Sequence, residues 1–236
     1  TRGKGHEIPA IKALLDTLAL KGCIVTIDAI GCQTAIAQKI LDRGGDYLLA
    51  VKDNQETLAN ALREFFADGE SAGFGTLPVD RYQTVDKDHG RIETRRALWV
   101  TDLSWLAKKI REHWPKLAGV GMIERRREIS GTVSMERAFY IGSRGVTTAE
   151  SFATAARCHW GIENRLHWVL DVTFREDDCR VRKDHAPHNF AALRKFALAL
   201  LRQDTQYPKR SLRSRRKTAE RLADYRASLL GLTLQG

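Results

Sequence analysis

The spacing of apolar residues predicts alternating helices and strands at the start of the chain. Three stretches have a helical period, the third beginning at an Asn54 cap, and two short apolar or β-branched runs between them are typical of buried strands. This alternation predicts a parallel α/β layer over residues 1–66. The predicted elements are helices at 8–20, 33–42 and 54–66 and strands at 23–28 and 46–52.

A different pattern occupies residues 67–146, where Gly and Pro separate runs rich in β-branched and aromatic residues. Such runs favour strands, so this part is predicted to be a β-rich insertion. The predicted elements are strands at 81–86, 92–100, 120–129 and 136–142 and a helix at 104–113.

The helical period returns over residues 147–202, and a basic tail follows at 203–236. One long helix is predicted at 147–171, with Gly161 as a candidate bend, and a second at 186–202. Helical spacing predicts the inward face of the second helix to be Phe190, Leu193, Ala197, Leu200 and Leu201.

The balance of charge predicts a polyanionic partner. The 236 residues include 39 Lys and Arg against 29 Asp and Glu, a net charge of +10, which favours nucleic acid. No apolar run approaches the roughly 18 residues that a membrane span requires. The four cysteines lack the spacing of a zinc site and are expected to be reduced thiols of a cytoplasmic protein.

The longest predicted helix has a carboxylate near its centre. On an α-helical period, His159, Glu163 and His167 share one face among many apolar residues. A carboxylate on a largely buried helix needs a metal, a cation or good hydrogen-bond donors. Glu163 is therefore a candidate metal ligand, and an ion pair with Arg157 or Arg165 is the alternative.

Asp28 ends the first predicted strand, and Lys52 ends the second. Because functional groups gather at the carboxyl ends of parallel strands, Asp28 and Lys52 are expected to lie near each other. Asp28 and Glu163 offer the oxygen ligands that hard divalent ions prefer. Two such ions about 4 Å apart would support in-line phosphoryl displacement. A turn or helix-cap role is the alternative for Asp28.

Four segments have distinctive sequences: KGHEIPAIKALLDTLALKGCIVTIDAIGCQ, GGDYLLAVKDNQ, HGRIETR and HWGIENRLHWVLDVTFREDDCR. They resemble the H-repeat-associated transposases, part of the broad class of DDE insertion-sequence transposases, and the likeness extends to about residue 202. It implies an α/β fold of the ribonuclease H-like type, with a mixed sheet flanked by helices and a β-rich insertion. It also implies that Asp28 and Glu163 are catalytic ligands of Mg²⁺ or Mn²⁺, with two ions in the intact enzyme.

In one respect the chain departs from that family. The resemblance places a first catalytic Asp on a strand upstream of the first predicted helix, and no residue here matches it. The first strands of the fold are therefore expected to be missing, and the chain alone is expected to lack appreciable Mg²⁺-dependent DNA cleavage. Three functions stay open: a DDE transposase acting at insertion-sequence ends, a nuclease of the same fold, and a catalytically inactive DNA-binding remnant.

The resemblance implies double-stranded DNA as the partner, assembly of several copies on that DNA, and a bacterial, nucleoid-associated protein. Cationic residues near the acidic positions are candidate phosphate contacts. A dense polar group around Glu93 is predicted to contact DNA or to brace the site, with a solvated hairpin as the alternative. The candidates for DNA contact are Lys52, His89, Arg91, Arg95, Arg157 and Arg165.

Overall fold

The computed structural model describes residues 7–88 and 91–232, with only the backbone described for Asp88, Glu163 and Asn164. The chain divides into two units, residues 1–159 and 160–236. No helix in the part of the chain so described is long and apolar enough to cross a membrane.

A six-stranded mixed sheet organises the first unit, in the order β1-β2-β6-β5-β4-β3. β1 and β2 are parallel, and every other neighbouring pair is antiparallel. The predicted mixed α/β class is confirmed, and the strands of the β-rich part continue the sheet begun by the parallel pair. The strands are β1 (Ile24–Ile27), β2 (Asp46–Val51), β3 (Val79–Asp88), β4 (Arg91–Val100), β5 (Gly119–Ile129) and β6 (Thr132–Gly142).

Helices flank this sheet, most of them where the apolar period predicted them. The prediction was wrong at two starts: a 3₁₀ turn at Asp53–Gln55 precedes α3, so Asn54 is not its cap, and α4 is shorter than expected. The side chain of Asn54 instead donates a hydrogen bond to the carbonyl of Ala29 at 2.5 Å. The helices are α1 (Glu7–Thr17), α2 (Thr34–Asp42), α3 (Glu56–Ala72), α4 (Lys108–His113) and α5 (Ala149–Ile162).

Alternation along the strands divides their side chains between two apolar layers. One face packs against α1, α2 and α3 through a cluster that includes Leu49, Leu62 and Met122. The other face packs against α5, where Trp99 meets Phe152 with ring centroids 5.0 Å apart. Glycine makes room for these rings, because a Cβ on Gly121 would lie 2.7 Å from both of them.

The second unit begins with a departure from the predicted α-helix. The chain forms two π-helical segments, Glu163–His167 and Val169–Thr173, after α5. A π-helix bonds residues five apart, so a spacing of four no longer marks one face as it does in an α-helix. The predicted helix at 147–171 is therefore continuous, but its second half is π-helical and the predicted α-helical period is wrong there.

Three further helices complete the second unit: α6 (Ala186–Gln203), α7 (Leu212–Arg221) and α8 (Ala223–Leu229). Leu198 of α6 is buried in a cluster with Val169 and Leu170. Phe190 and Leu193 are exposed, so the predicted inward face of α6 was wrong for these two residues. The reason is that α6 has two apolar stripes, and the local pattern does not say which one packs.

A buried guanidinium organises the region predicted as a basic tail. Arg215 donates hydrogen bonds to the carbonyl oxygens of Leu201, Pro208 and Arg210 at 2.9, 2.9 and 3.0 Å. These bonds satisfy the donors of the guanidinium within the protein. Arg215, one of the cations of this basic region, therefore stabilises the fold.

Candidate functional site

Asp28 directly follows β1 and precedes a 3₁₀ turn at Ala29–Gly31. Its backbone is extended, with φ −65° and ψ 177°, and its side chain makes no capping hydrogen bond. The turn is closed instead by the backbone, since the Gly31 N–H donates to the Asp28 carbonyl at 3.1 Å. The exposed carboxylate is thus not used as a helix cap, the alternative considered from the sequence.

Lys52 lies at the same edge of the sheet as Asp28. β1 and β2 are parallel with Ile27 opposite Leu49, so the residues that follow each strand emerge together. Gln55, in the turn after Lys52, donates to the Cys32 carbonyl at 2.9 Å and ties the two post-strand segments to each other. The structure therefore brings Asp28 and Lys52 to one edge.

The backbone of Glu163 opens the first π-helical segment, while its side chain lies outside the part that is described. Arg165, in the same segment, is exposed, and its carbonyl accepts a hydrogen bond from Arg202. π-helical turns are rare in proteins, and a large share of those that do occur lie at functional sites. Asp28 belongs to the first unit and Glu163 to the second, so their convergence stays a prediction.

Within residues 7–88 and 91–232, no three His, Cys, Asp or Glu side chains lie together in a group that could hold a metal ion. The donor chemistry of Asp28 nevertheless fits a hard divalent ion, because its carboxylate is exposed at a strand end and caps no turn.

Glu93 on β4 is the centre of a cluster of arginines on the sheet face that α5 covers. Its side chain is only 2% exposed. It forms ion pairs with Arg95, with the Nε of Arg127 at 3.5 Å and with the Nε of Arg91 at 3.7 Å. Glu93 is paired with Arg127 on β5, so adjacent strands supply the two charges.

Asp86 extends this cluster to β3 and α5. Its Oδ2 lies 2.7 Å from Arg95 Nη1 and 3.2 Å from Arg157 Nη2. The structure thus joins Arg157 of α5 to Arg91 and Arg95 of β4 through two carboxylates. We call the six residues the Glu93 cluster: Asp86, Arg91, Glu93, Arg95, Arg127 and Arg157. His89, the remaining candidate of this group, lies outside the described residues.

Asp86 and Arg127 were missed by the sequence prediction. Both face Glu93 from neighbouring strands, Asp86 on β3 and Arg127 on β5. The signal that identifies them is strand register: alternate charged residues of HGRIETR face alternate residues of ERRREI once the two strands are aligned. Register is set by pairing across the sheet and is not contained in either segment alone.

A second ionic group lies on the opposite face of the sheet. Arg96 and Arg137 pair with Glu70 and Glu124, with Arg96–Glu124 at 3.0 Å and Arg137–Glu124 at 2.7 Å. Two arginines meet two carboxylates here, so this group is balanced in charge. The Glu93 cluster, by contrast, has four arginines and two carboxylates.

Comparison with known proteins covers nearly the whole chain. A family model described as "Transposase DDE domain" matches residues 1–200, a span that includes Asp28, Glu163 and the Glu93 cluster. The protein named "H repeat-associated putative transposase YhhI" of Escherichia coli (strain K12) is 38% identical over 237 residues, covering 98% of this chain and 60% of that protein.

Two further relatives show similar coverage. "Putative protein YbfL" of Escherichia coli (strain K12) is 39% identical over 237 residues, covering 98% of this chain and 60% of that protein. "Putative transposase YncI" of Escherichia coli O157:H7 is 38% identical over 222 residues, covering 93% and 56% respectively. The chain thus spans 56% to 60% of the length of these relatives.

Proposed function

Because this chain belongs to the family of transposases with a DDE domain, we propose that it acts in DNA transposition, as part of an enzyme that hydrolyses and rejoins phosphodiester bonds at insertion-sequence ends. The observation that supports this most directly is the position of Asp28 within the matched span. An exposed carboxylate at the end of a central parallel strand is where α/β sheets place their functional groups.

Asp28 and Glu163 are the proposed ligands of the metal. Members of this family generally use divalent metal ions, and we assign Mg²⁺ or Mn²⁺, two ions in the intact enzyme, from the oxygen character of both side chains. When bound, such ions polarise the phosphate and lower the pKa of a water or hydroxyl nucleophile. The task of the two carboxylates is to fix the position at which this occurs.

Lys52 is the proposed phosphate contact nearest to the acidic edge. It is exposed and directly follows β2, at the edge of the sheet where Asp28 follows β1, and an ammonium group at this edge could neutralise a phosphate bound at the carboxylate. Arg165 would act in the same way next to Glu163 in its π-helical segment. His89, with Arg91, Arg95 and Arg157, would contact the DNA backbone further along the duplex.

A cleavage assay tests this function. Supercoiled DNA is incubated with Mg²⁺ or Mn²⁺ and either this chain or a protein extended by the in-frame coding sequence upstream of Thr1. We expect nicking by the extended protein, abolished by Asp28→Asn and by Glu163→Gln, and no appreciable nicking by the chain alone. The matched control is Asp68→Asn, an exposed carboxylate on α3 that removes the same charge.

The outcomes separate the alternatives. Salt-sensitive DNA binding by both proteins without nicking by either favours the inactive DNA-binding remnant. Nicking without joining of DNA ends favours a nuclease of the same fold. Robust nicking by the short chain that Glu163→Gln abolishes would show that no upstream carboxylate is required.

A further inference from the structure

We propose that Glu93 is a positioning residue that holds Arg91, Arg95 and Arg127 as a binding surface for the phosphates of a DNA backbone. This inference rests on the proposed function and adds a specific role for a carboxylate that ligates no metal in that function.

The first step is the burial of Glu93. A carboxylate that is 2% exposed loses most of its hydration and is tolerated only when cations and hydrogen bonds replace the water. Arg91, Arg95 and Arg127 provide those cations from β4 and β5. The same contacts restrict the arginine side chains, so the carboxylate orders three flexible cations at once.

The second step is the excess of positive charge. The Glu93 cluster combines four arginines with two carboxylates, which leaves two positive charges uncompensated within it. The balanced group of Arg96, Arg137, Glu70 and Glu124 on the other face shows that the same strands also pair their charges evenly. The excess is therefore a property of the Glu93 cluster.

The third step concerns hydrogen-bond donors. Each guanidinium has five N–H donors, and two carboxylates cannot accept those of four arginines. The four arginine side chains are between 30% and 57% exposed, so part of each guanidinium is open to solvent, although the Nε of Arg127 is itself buried. Guanidinium groups bind phosphate oxygens in a bidentate manner, and a polyanion with evenly spaced phosphates matches several of them together.

The fourth step is rigidity. Arg91, Arg95 and Arg127 project from neighbouring antiparallel strands whose backbone hydrogen bonds fix their separation. A binding group on a sheet is held more precisely than one on a loop. Ordering by Glu93 before DNA arrives lowers the entropy lost on binding.

Duplex binding over a range of salt concentrations tests this role. Each phosphate contact contributes a slope of about −0.9 to log K against log salt, so losing one contact weakens binding about fivefold near 0.15 M salt. We expect Arg127→Gln to show that loss and a shallower slope. Arg137→Gln, which removes the same charge from the balanced group, is the control and should change affinity less than twofold.

Glu93→Gln gives the sharper result, because it makes the chain more positive. General electrostatic attraction predicts tighter binding by this variant, whereas loss of positioning predicts weaker binding with a shallower salt slope. We expect the weaker binding, with Glu93→Asp recovering part of it. If Glu93→Gln unfolds, Arg127→Lys is the substitute: it retains the charge and loses the planar fork, so we expect binding between that of the parent and that of Arg127→Gln.

Failure of the inference differs from failure of the proposed function. A parent chain that binds duplex DNA with a steep salt slope, while Glu93→Gln binds as tightly or more tightly, overturns the role of Glu93 alone. An equal loss of DNA affinity in Arg127→Gln and Arg137→Gln likewise overturns the role of the Glu93 cluster and leaves the proposed function standing. A parent chain that does not bind duplex DNA overturns both.

Discussion

Arg157 Nη2 lies 3.2 Å from Asp86 Oδ2. This contact connects α5 to β3, one of the two edge strands of the sheet. The two side chains are 57% and 47% exposed, and exposed ion pairs contribute only about 0–1 kcal/mol to stability. The contact therefore costs little to break and leaves the guanidinium accessible to a stronger anion.

Arg157→Gln is accordingly expected to weaken DNA binding while leaving the stability of the fold nearly unchanged. Its melting temperature should be within a few degrees of the parent, because about 1 kcal/mol shifts the midpoint of a domain of this size by roughly 2–4 °C. Its affinity for duplex DNA should fall about fivefold near 0.15 M salt. Thermal unfolding and fluorescence anisotropy measure the two quantities, and a large loss of stability with unchanged affinity contradicts the assignment.

Binding of Mn²⁺, followed by electron paramagnetic resonance, tests the acidic pair without requiring catalysis. Asp28→Asn and Glu163→Gln should each weaken Mn²⁺ binding by at least about tenfold, the scale on which even outer-shell partners affect metal affinity. The two carboxylates should lie within about 4 to 8 Å of each other if they share a two-ion site. Asp68→Asn should bind Mn²⁺ like the parent, and equal loss in all three variants indicates non-specific binding.

Asp204 and Tyr225 make the second unit sensitive to acid. Desolvation alone would raise the pKa of Asp204, but the hydrogen bond from Tyr225 at 2.8 Å and the N–H groups of Gln206 and Tyr207 hold that pKa below its ordinary value. A pKa that folding lowers stabilises the protein above the unfolded value, about 3.9, and this contribution is lost as pH falls through the folded pKa. In Asp204→Asn the free energy of unfolding should be lower than in the parent at pH 7. It should also fall less steeply as the pH is lowered below about 4.

Burial of Tyr225, followed in importance by its hydrogen bond to Asp204, raises the pKa of its phenol to about 12. A raised pKa stabilises the folded state below the unfolded value, about 10, and the contribution disappears as pH rises through the folded pKa. Tyr225→Phe should therefore be less stable than the parent at pH 7, with a smaller difference above pH 12. An unchanged difference at high pH contradicts the assignment.

Arg215→Met tests the buried guanidinium of the same unit. Its side chain is 11% exposed and donates to three backbone carbonyls, so its removal leaves those buried acceptors without this donor and takes a cation away from Asp204. Breaking a buried ionic arrangement costs about 3–5 kcal/mol. Hydrogen exchange should show lost protection in α6 and α7, while Arg213→Met, an exposed arginine of the same helix, should leave protection unchanged.

Two glycine substitutions should have opposite effects. A Cβ on Gly121 would lie 2.7 Å from Trp99 and Phe152, both fully buried. Gly121→Ala is therefore expected to lower the free energy of unfolding by the roughly 1–3 kcal/mol that overpacking a core costs. Gly161→Ala, in the last turn of α5 with no atom within 4 Å of its Cβ, should be neutral or stabilise by up to about 1 kcal/mol. Chemical denaturation of both variants measures these differences.

Local periodicity was sufficient for the strands and for most helices, because each buries one face and repeats its apolar residues accordingly. It was not sufficient where the outcome depends on residues far away in sequence. The ion pair between Glu93 and Arg127 follows from strand register, and the choice of which stripe of α6 packs follows from the cluster around Leu198.

The acidic positions show the same division. Asp28 could be placed from the sequence because a strand end is a local feature, and the structure confirms that position. The face shared by His159, Glu163 and His167 could not be predicted from the sequence. That prediction assumed an α-helical period, whereas the backbone from Glu163 onward is π-helical. The period changes two residues after Gly161, the candidate bend, but a glycine does not specify a change to a π-helical period.

The pairing of β2 with β6 has a consequence for the order of folding. β3, β4, β5 and β6 follow one another in a meander, whereas Leu48 pairs with Gly142 across most of the first unit. Contacts between near neighbours in sequence form faster than contacts that close a long loop. The meander and the parallel pair of β1 and β2 are thus both expected to form before β2 pairs with β6. Ser143 marks the completion of that pairing, since its hydroxyl oxygen accepts the Tyr47 N–H at 2.9 Å. The edge that presents Asp28 and Lys52 is therefore expected to join the rest of the sheet in the last step.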